Sequence, residues 1–339
     1  MLVTRTAEGD VGGWSIPMGR ILGIPVRAHW TVLLLLPAAM TLLASGVFRE
    51  WYPGWSVAAH AGMAAAAAVL LLLSILLHEM GHALAARRLG IRVDGVTLWA
   101  LGGLTRFSGP AHRPRDEVRI AAAGPLATLG VAVVAGAAAP ALAGVAAAQG
   151  VVAWLAAANL LLLVFNLLPG FPLDGGRILR GMLWARSGDH ARATRTAAVA
   201  GRVIGAGFGG LAAVLIVAGA AADGVWLGLI AWFLLGAAGT EEALAAAERA
   251  LGDTPAAAVM RPVDGVVAPG DPIPPDREGD APARVVVADG RLWGLLVAGD
   301  EAGRPAAARS RLRVHDVALP RGAFMELAPA DLVGPALEG

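Results

Sequence analysis

The sequence predicts an all-α polytopic membrane domain over residues 1–240, followed by a small cytosolic α+β tail over 241–339. Three observations carry this. Of 339 residues, 57% are hydrophobic and 16% charged, whereas soluble domains carry roughly 25% charged residues. Almost unbroken apolar stretches fill residues 30–240, while Pro and charge gather in the last hundred residues. The 27 basic residues are all arginine, and those within residues 1–240 gather on alternate sides of the apolar stretches.

The first thirty residues end in Gly19-Arg20-Ile21-Leu22-Gly23-Ile24-Pro25-Val26-Arg27 and lack the continuous apolar core of a cleaved signal peptide, so they read as a retained cytosolic lead-in. About 20 apolar residues cross a bilayer. Such runs occur near 30–48, 57–86, 118–140, 150–168, 199–221 and 224–239, giving about six spans. Three arginines precede the first span, seven lie in 87–119 and six in 177–202, which leaves only Arg49 outside. The positive-inside rule then puts both termini in the cytosol. Trp51, Tyr52 and Trp55 supply aromatics at the outer interface. The Ala and Gly of 121–149 and 197–222 suit close approach of membrane helices. Glu241–Leu251 reads as a polar amphipathic exit helix, followed by a Pro-rich stretch over 262–282. Residues 283–297 then read as two strands joined at Asp289-Gly290.

With no cysteine, disulfides, thiolate metal sites and Cys nucleophiles are excluded, and any metal must be held by His and carboxylate. A formal net charge of +1 offers no electrostatic case for binding nucleic acid.

The segment His78-Glu79-Met80-Gly81-His82 closes a long apolar helix. Residues four apart share a helix face, so two imidazoles can hold one zinc ion. Glu79, beside the first, can take a proton from metal-bound water and deliver it to a leaving amine, as in metalloproteases. Ionisable groups at membrane depth each cost at least about 2.5 kcal/mol, and a metal compensates for three of them in five residues. Two histidines leave the site short of a third protein ligand, which must be another His or a carboxylate. Asp174 stands in Asn166-Leu-Leu-Pro169-Gly170-Phe-Pro172-Leu-Asp174-Gly175-Gly176-Arg177, where the fourth span breaks. It reads either as a turn acid or as the lining of a polar cavity, the setting that irregular backbone needs at membrane depth. His29 and His60 have no partner at ligand spacing and read as interfacial or packed. His112, His190 and His315 read as solvated.

His78-Glu79-Met80-Gly81-His82 together with Asn166-x-x-Pro169-x-x-x-x-Asp174-Gly175 resembles the site-2 protease family of intramembrane zinc metalloproteases, over about residues 20–200. Further similarity lies in residues 23–30, 101–107 and Ala123-Gly-Pro-Leu126. The resemblance implies one Zn²⁺ per chain held by His78, His82 and Asp174, with Glu79 as general base and with Asn166 and Pro169 shaping the loop that presents the aspartate. Gly102 and Gly103 resemble the family's small re-entrant β-hairpin, which offers an edge to an extended substrate; otherwise they are a cytosolic turn. Thr128 stands where the family often has Asn, and its hydroxyl can still donate near the substrate carbonyl. The tail resembles a degenerate CBS module: residues 254–262 its lead-in, 285–297 its hairpin and 313–317 the start of a second repeat. Pro274–Pro282 replaces an expected helix.

The expected function is intramembrane zinc-dependent peptide hydrolysis in or near transmembrane segments of membrane-anchored regulators, that is, regulated intramembrane proteolysis. The partners are a single-span transmembrane protein and the lipid bilayer, with an adenine nucleotide or regulatory partner at the tail. The alternative is a divalent-metal transporter, although the outer halves of the spans are almost entirely Ala, Leu, Val and Gly. Arginine without lysine, beside abundant Ala and Gly, is associated with GC-rich bacterial genomes, and so with a bacterial plasma membrane.

Overall fold

A computed structural model describes residues 15–99, 102–109, 111, 113–252, 265–272, 283–288, 290–297 and 312–320. One compact unit ends at Ala247 and a second begins at Glu248. The first is a mostly helical membrane protein. Among the described residues six helices are long and apolar enough to cross a bilayer: Thr31–Trp51, Val57–Arg88, Pro114–Ala141, Ala146–Asn166, His190–Val217 and Ala221–Ala243.

The first span joins α1 (Thr31–Leu42) through a π-turn to α2 (Phe48–Trp51). The second is α3 (Val57–Arg88), started by the Ser56 hydroxyl accepting from Ala59 N at 3.2 Å and ended by Arg87 and Arg88, whose charge suits a helix C-terminus. The third is α4 (Pro114–Ala141), which opens on Pro114 with Asp116 and Glu117 in its first turn, as the helix dipole favours. α5 (Ala146–Asn166) follows. A turn over 167–173 leads into α6 (Asp174–Ser187), which ends at Gly188 in the left-handed conformation, φ +70°. α7 (His190–Val217) is capped by Asp189, whose carboxylate accepts from Arg192 N at 2.8 Å. α8 (Ala221–Gly252) runs on through residues 241–251, so the expected exit helix continues the sixth span without a break. α4 and α7 begin four and nine residues before the apolar runs that predict them, because their first turns are polar and extend beyond those runs.

A four-stranded sheet in the order β1-β2-β3-β4 accompanies the helices. β1 (Ser15–Ile21) and β2 (Ile24–His29) are antiparallel, β2 and β3 (Val93–Trp99) parallel, and β3 and β4 (Gly102–Phe107) antiparallel. The expected hairpin around Gly102 is therefore part of a larger sheet, and the lead-in is a hairpin as well. The glycines that make the lead-in look broken serve that hairpin. Leu22 (φ +50°) and Gly23 (φ +83°) form its two-residue turn, and the pairing shifts register between Pro17 and Gly19. The sheet packs on the end of α3, where Ile24 and Val96 bury against Met80 and Ala83. The outer faces of the spans leave Leu33, Leu34, Leu73, Leu77, Leu161 and Val214 exposed, as a lipid solvent requires.

In the second unit β5 (Val266–Val267), β6 (Ala283–Ala288), β7 (Arg291–Val297) and β8 (Leu319–Pro320) form a sheet, with the short α9 (Val314–Val317) before β8. Val286, Leu296, Val314 and Ala318 make its small core. β6 and β7 are the expected hairpin, with Gly290 at φ +70° in the turn. Asp289, the lead-in over 254–262 and Pro274–Pro282 lie outside the described residues, as does His112.

Candidate metal centre

Three of the sequence-expected residues meet. His78 and His82 lie one turn apart on α3, and Asp174 is the first residue of α6. His78 Nε2 is 3.1 Å from His82 Nε2 and 3.1 Å from Asp174 Oδ2, and His82 Nε2 is 3.3 Å from the same oxygen. The histidines are buried and the aspartate side chain is 12% exposed. Among the described residues this is the group of three His or acid side chains whose ligand atoms converge.

The far nitrogens fix what the near ones can do. His82 Nδ1 lies 2.7 Å from Ile120 O, an atom that can only accept, so Nδ1 carries the proton and Nε2 presents a lone pair. His78 Nδ1 lies 2.8 Å from the Thr128 hydroxyl on α4. The Nε2 atoms of both rings converge on Asp174 Oδ2, a buried atom without a conventional hydrogen-bond donor. Three electron-pair donors in this arrangement fit a cation. Bonds of about 2.0–2.1 Å in a tetrahedron give ligand separations of about 3.3–3.4 Å, close to those found, so the residues fit zinc.

Small residues make room for the centre. A Cβ on Gly81 would lie 2.6 Å from Ala123 O, so α3 and α4 touch backbone to backbone, and a Cβ on Gly124 would overlap His82 Nε2. The 167–173 turn is equally confined, since a Cβ on Gly175 would strike Leu167 O and Leu168 O, and one on Gly170 would lie 2.5 Å from Gly201 Cα. Phe171 N donates to Ala197 O at 3.2 Å, tying the turn to α7. Glu117 on α4 is ion-paired with Arg180 on α6, and the Arg180 guanidinium lies 5.0 Å over the Phe171 ring.

The remaining expected residues divide. Glu79 is 7% exposed beneath β4, where Gly103 packs on it and the Thr105 hydroxyl donates to its Oε2 at 2.7 Å. Gly102, at φ +141°, takes a conformation that favours glycine. Thr128 is fully buried behind His78, with its hydroxyl 2.8 Å from His78 Nδ1. Asn166 donates to Leu162 O at 3.0 Å along its own helix, and Pro169 is exposed in the turn; neither joins the ligand cluster. His60 is packed, 3.1 Å from Tyr52 O, and His29 lies 2.8 Å from the Thr31 hydroxyl. His190 is not freely solvated: its ring meets Trp184 edge-on at 4.8 Å. Sequence reasoning missed the parts played by Thr105, Gly124, Ile120 and the Glu117–Arg180 pair. The alternation of Gly103 and Thr105 on one strand face was the available signal for Thr105.

Fold and site together define a polytopic membrane protein with a buried centre of two histidines and one carboxylate on a His-Glu-x-x-His helix. The profile of peptidase family M50 matches residues 66–149 and 141–208, and over these residues the chain is similar to that family. It is similar to Rip3 of Mycobacterium tuberculosis, 45% identical over 231 residues that cover 67% of this chain and 58% of that protein. A zinc metalloprotease of Methanocaldococcus jannaschii is 28% identical over 252 residues, covering 74% of this chain and 67% of its own length. The solved structure of a site-2 protease from the same organism matches at 27% identity and a TM-score of 0.45, covering 68% of this chain and 95% of that one. The chain thus spans little more than half the length of Rip3.

Proposed function

We propose that the chain is an intramembrane zinc metalloendopeptidase that hydrolyses peptide bonds in or near transmembrane segments of single-span, membrane-anchored regulators. The observation that carries the reading is the convergence of His78 Nε2, His82 Nε2 and Asp174 Oδ2, with Glu79 next to the first ligand on the same buried helix. Zinc held by these three residues would supply Lewis acidity, making a water nucleophilic at neutral pH and polarising the scissile carbonyl. Glu79 takes the proton of the attacking water and returns it to the leaving amide nitrogen. The hydrogen bonds to Ile120 O and Thr128 hold both imidazoles in orientation, aimed at the shared centre.

A helical substrate hides its carbonyls in its own hydrogen bonds, so it must be extended to be cut. β4 is an edge strand of its sheet among the described residues and lies over Glu79, which supports pairing of an extended substrate along it. The arginine distribution supports cytosolic termini in a bacterial plasma membrane. The C-terminal sheet supports a regulatory module, and titration of the purified protein with adenine nucleotides tests whether it takes that ligand.

Reconstitution in vesicles with a single-span substrate tests the activity. The proposal expects cleavage by the wild type and none by Glu79→Gln. Metal flux across the vesicle without cleavage would replace the peptidase with a transporter.

A further inference from the structure

Thr105 has no part in the chemistry described so far, yet its hydroxyl lies 2.7 Å from Glu79 Oε2 and 3.3 Å from Glu79 O. One hydroxyl proton serves one acceptor well, and the shorter, charge-assisted contact is the stronger. Gly103 and Thr105 are two apart on β4 and so share the strand face turned towards α3. A Cβ on Gly103 would overlap Glu79 Cγ and lie 2.7 Å from Oε1. The carboxylate is thereby seated between a position without a side chain and a hydroxyl donor. The terminal torsion of glutamate is broad, so packing alone does not fix the plane of the carboxylate. A donor on Oε2 does.

We propose that Thr105 is a positioning residue for Glu79: its hydroxyl holds Oε2 so that Oε1 meets the attacking water, and it ties the base to the strand that receives the substrate. The inference rests on the peptidase reading and deepens it. In the step it serves, a water O–H bond breaks, its proton goes to Oε1, and the water oxygen forms a bond to the scissile carbonyl carbon. That proton then passes to the amide nitrogen as the C–N bond breaks, while the Thr105 proton stays on its own oxygen throughout. The Thr105 side chain faces α3, so its removal leaves backbone pairing of substrate on β4 intact.

The test compares wild type, Thr105→Val and Thr105→Ser for kcat, KM, zinc content and melting temperature, with the full chain and a single-span substrate. Thr105→Val, which keeps the shape and removes the donor, is expected to lower kcat about 10- to 100-fold, as small misplacements of reacting groups do. KM is expected to stay within about twofold and zinc content at one per chain, and Thr105→Ser is expected to restore kcat to within about threefold. If Thr105→Val does not fold, Thr105→Ala gives the same comparison. Unchanged kcat without the hydroxyl, failure of serine to restore it, or loss of zinc in step with activity would overturn the inference while leaving the peptidase standing. A wild type that holds zinc and never cleaves would overturn both.

Discussion

Gly124 faces His82 at a separation no side chain could share: a Cβ at this position of α4 would overlap His82 Nε2 and stand 2.8 Å from His78 Nε2. The methyl group would fill the space that the ligand nitrogens share. Gly124→Ala is therefore expected to lower zinc affinity at least about tenfold, a loss of roughly 1.4 kcal/mol in binding, while the protein stays folded. Competition with a chelator reads the affinity and thermal unfolding reads the fold. Unchanged zinc affinity would show that α4 recedes easily and that the close approach carries no constraint.

Thr128 lies one turn further along the same face of α4. Its hydroxyl, fully buried, is the partner of His78 Nδ1 at 2.8 Å. Groups that orient a ligand histidine are typically worth 10- to 100-fold in metal affinity. Thr128→Val is expected to weaken zinc retention by about that factor, with Thr128→Ser close to wild type. A valine variant that keeps zinc as tightly as wild type would remove Thr128 from the account.

The Glu117–Arg180 pair joins the helix that holds Gly124 and Thr128 to the helix that begins with Asp174. Arg180 is 19% exposed and Glu117 7%, so removing the arginine strands a buried carboxylate. Breaking a buried pair from one side costs about 3–5 kcal/mol. Arg180→Ala is expected to destabilise by an amount of that order, and the double variant Arg180→Met with Glu117→Met by distinctly less. Unfolding in detergent measures both; equal losses would mean that the pair acts through shape and not through charge.

Much of this was legible in the residues, for reasons that differ from one element to the next. His78 and His82 could be placed because a spacing of four puts two side chains on one helix face regardless of tertiary context. The six spans could be counted because a bilayer imposes a length, and α4 and α7 overran their predicted starts only where polar turns extend beyond the apolar run. The β1–β2 hairpin was hidden because its glycines read as breaks, whereas Gly23 and Leu22 make the turn. Gly124 and Thr105 act across α3–α4 and α3–β4 contacts, and a single chain read in order does not say which helix face meets which strand.

Metal content and cleavage read on the same purified preparations decide whether His78, His82 and Asp174 hold a zinc ion at which Glu79 drives peptide hydrolysis. One zinc per chain and cleavage are expected for the wild type, one zinc and no cleavage for Glu79→Gln, and loss of both for Asp174→Ala. Full zinc retention by Asp174→Ala, or cleavage by Glu79→Gln, would contradict that assignment.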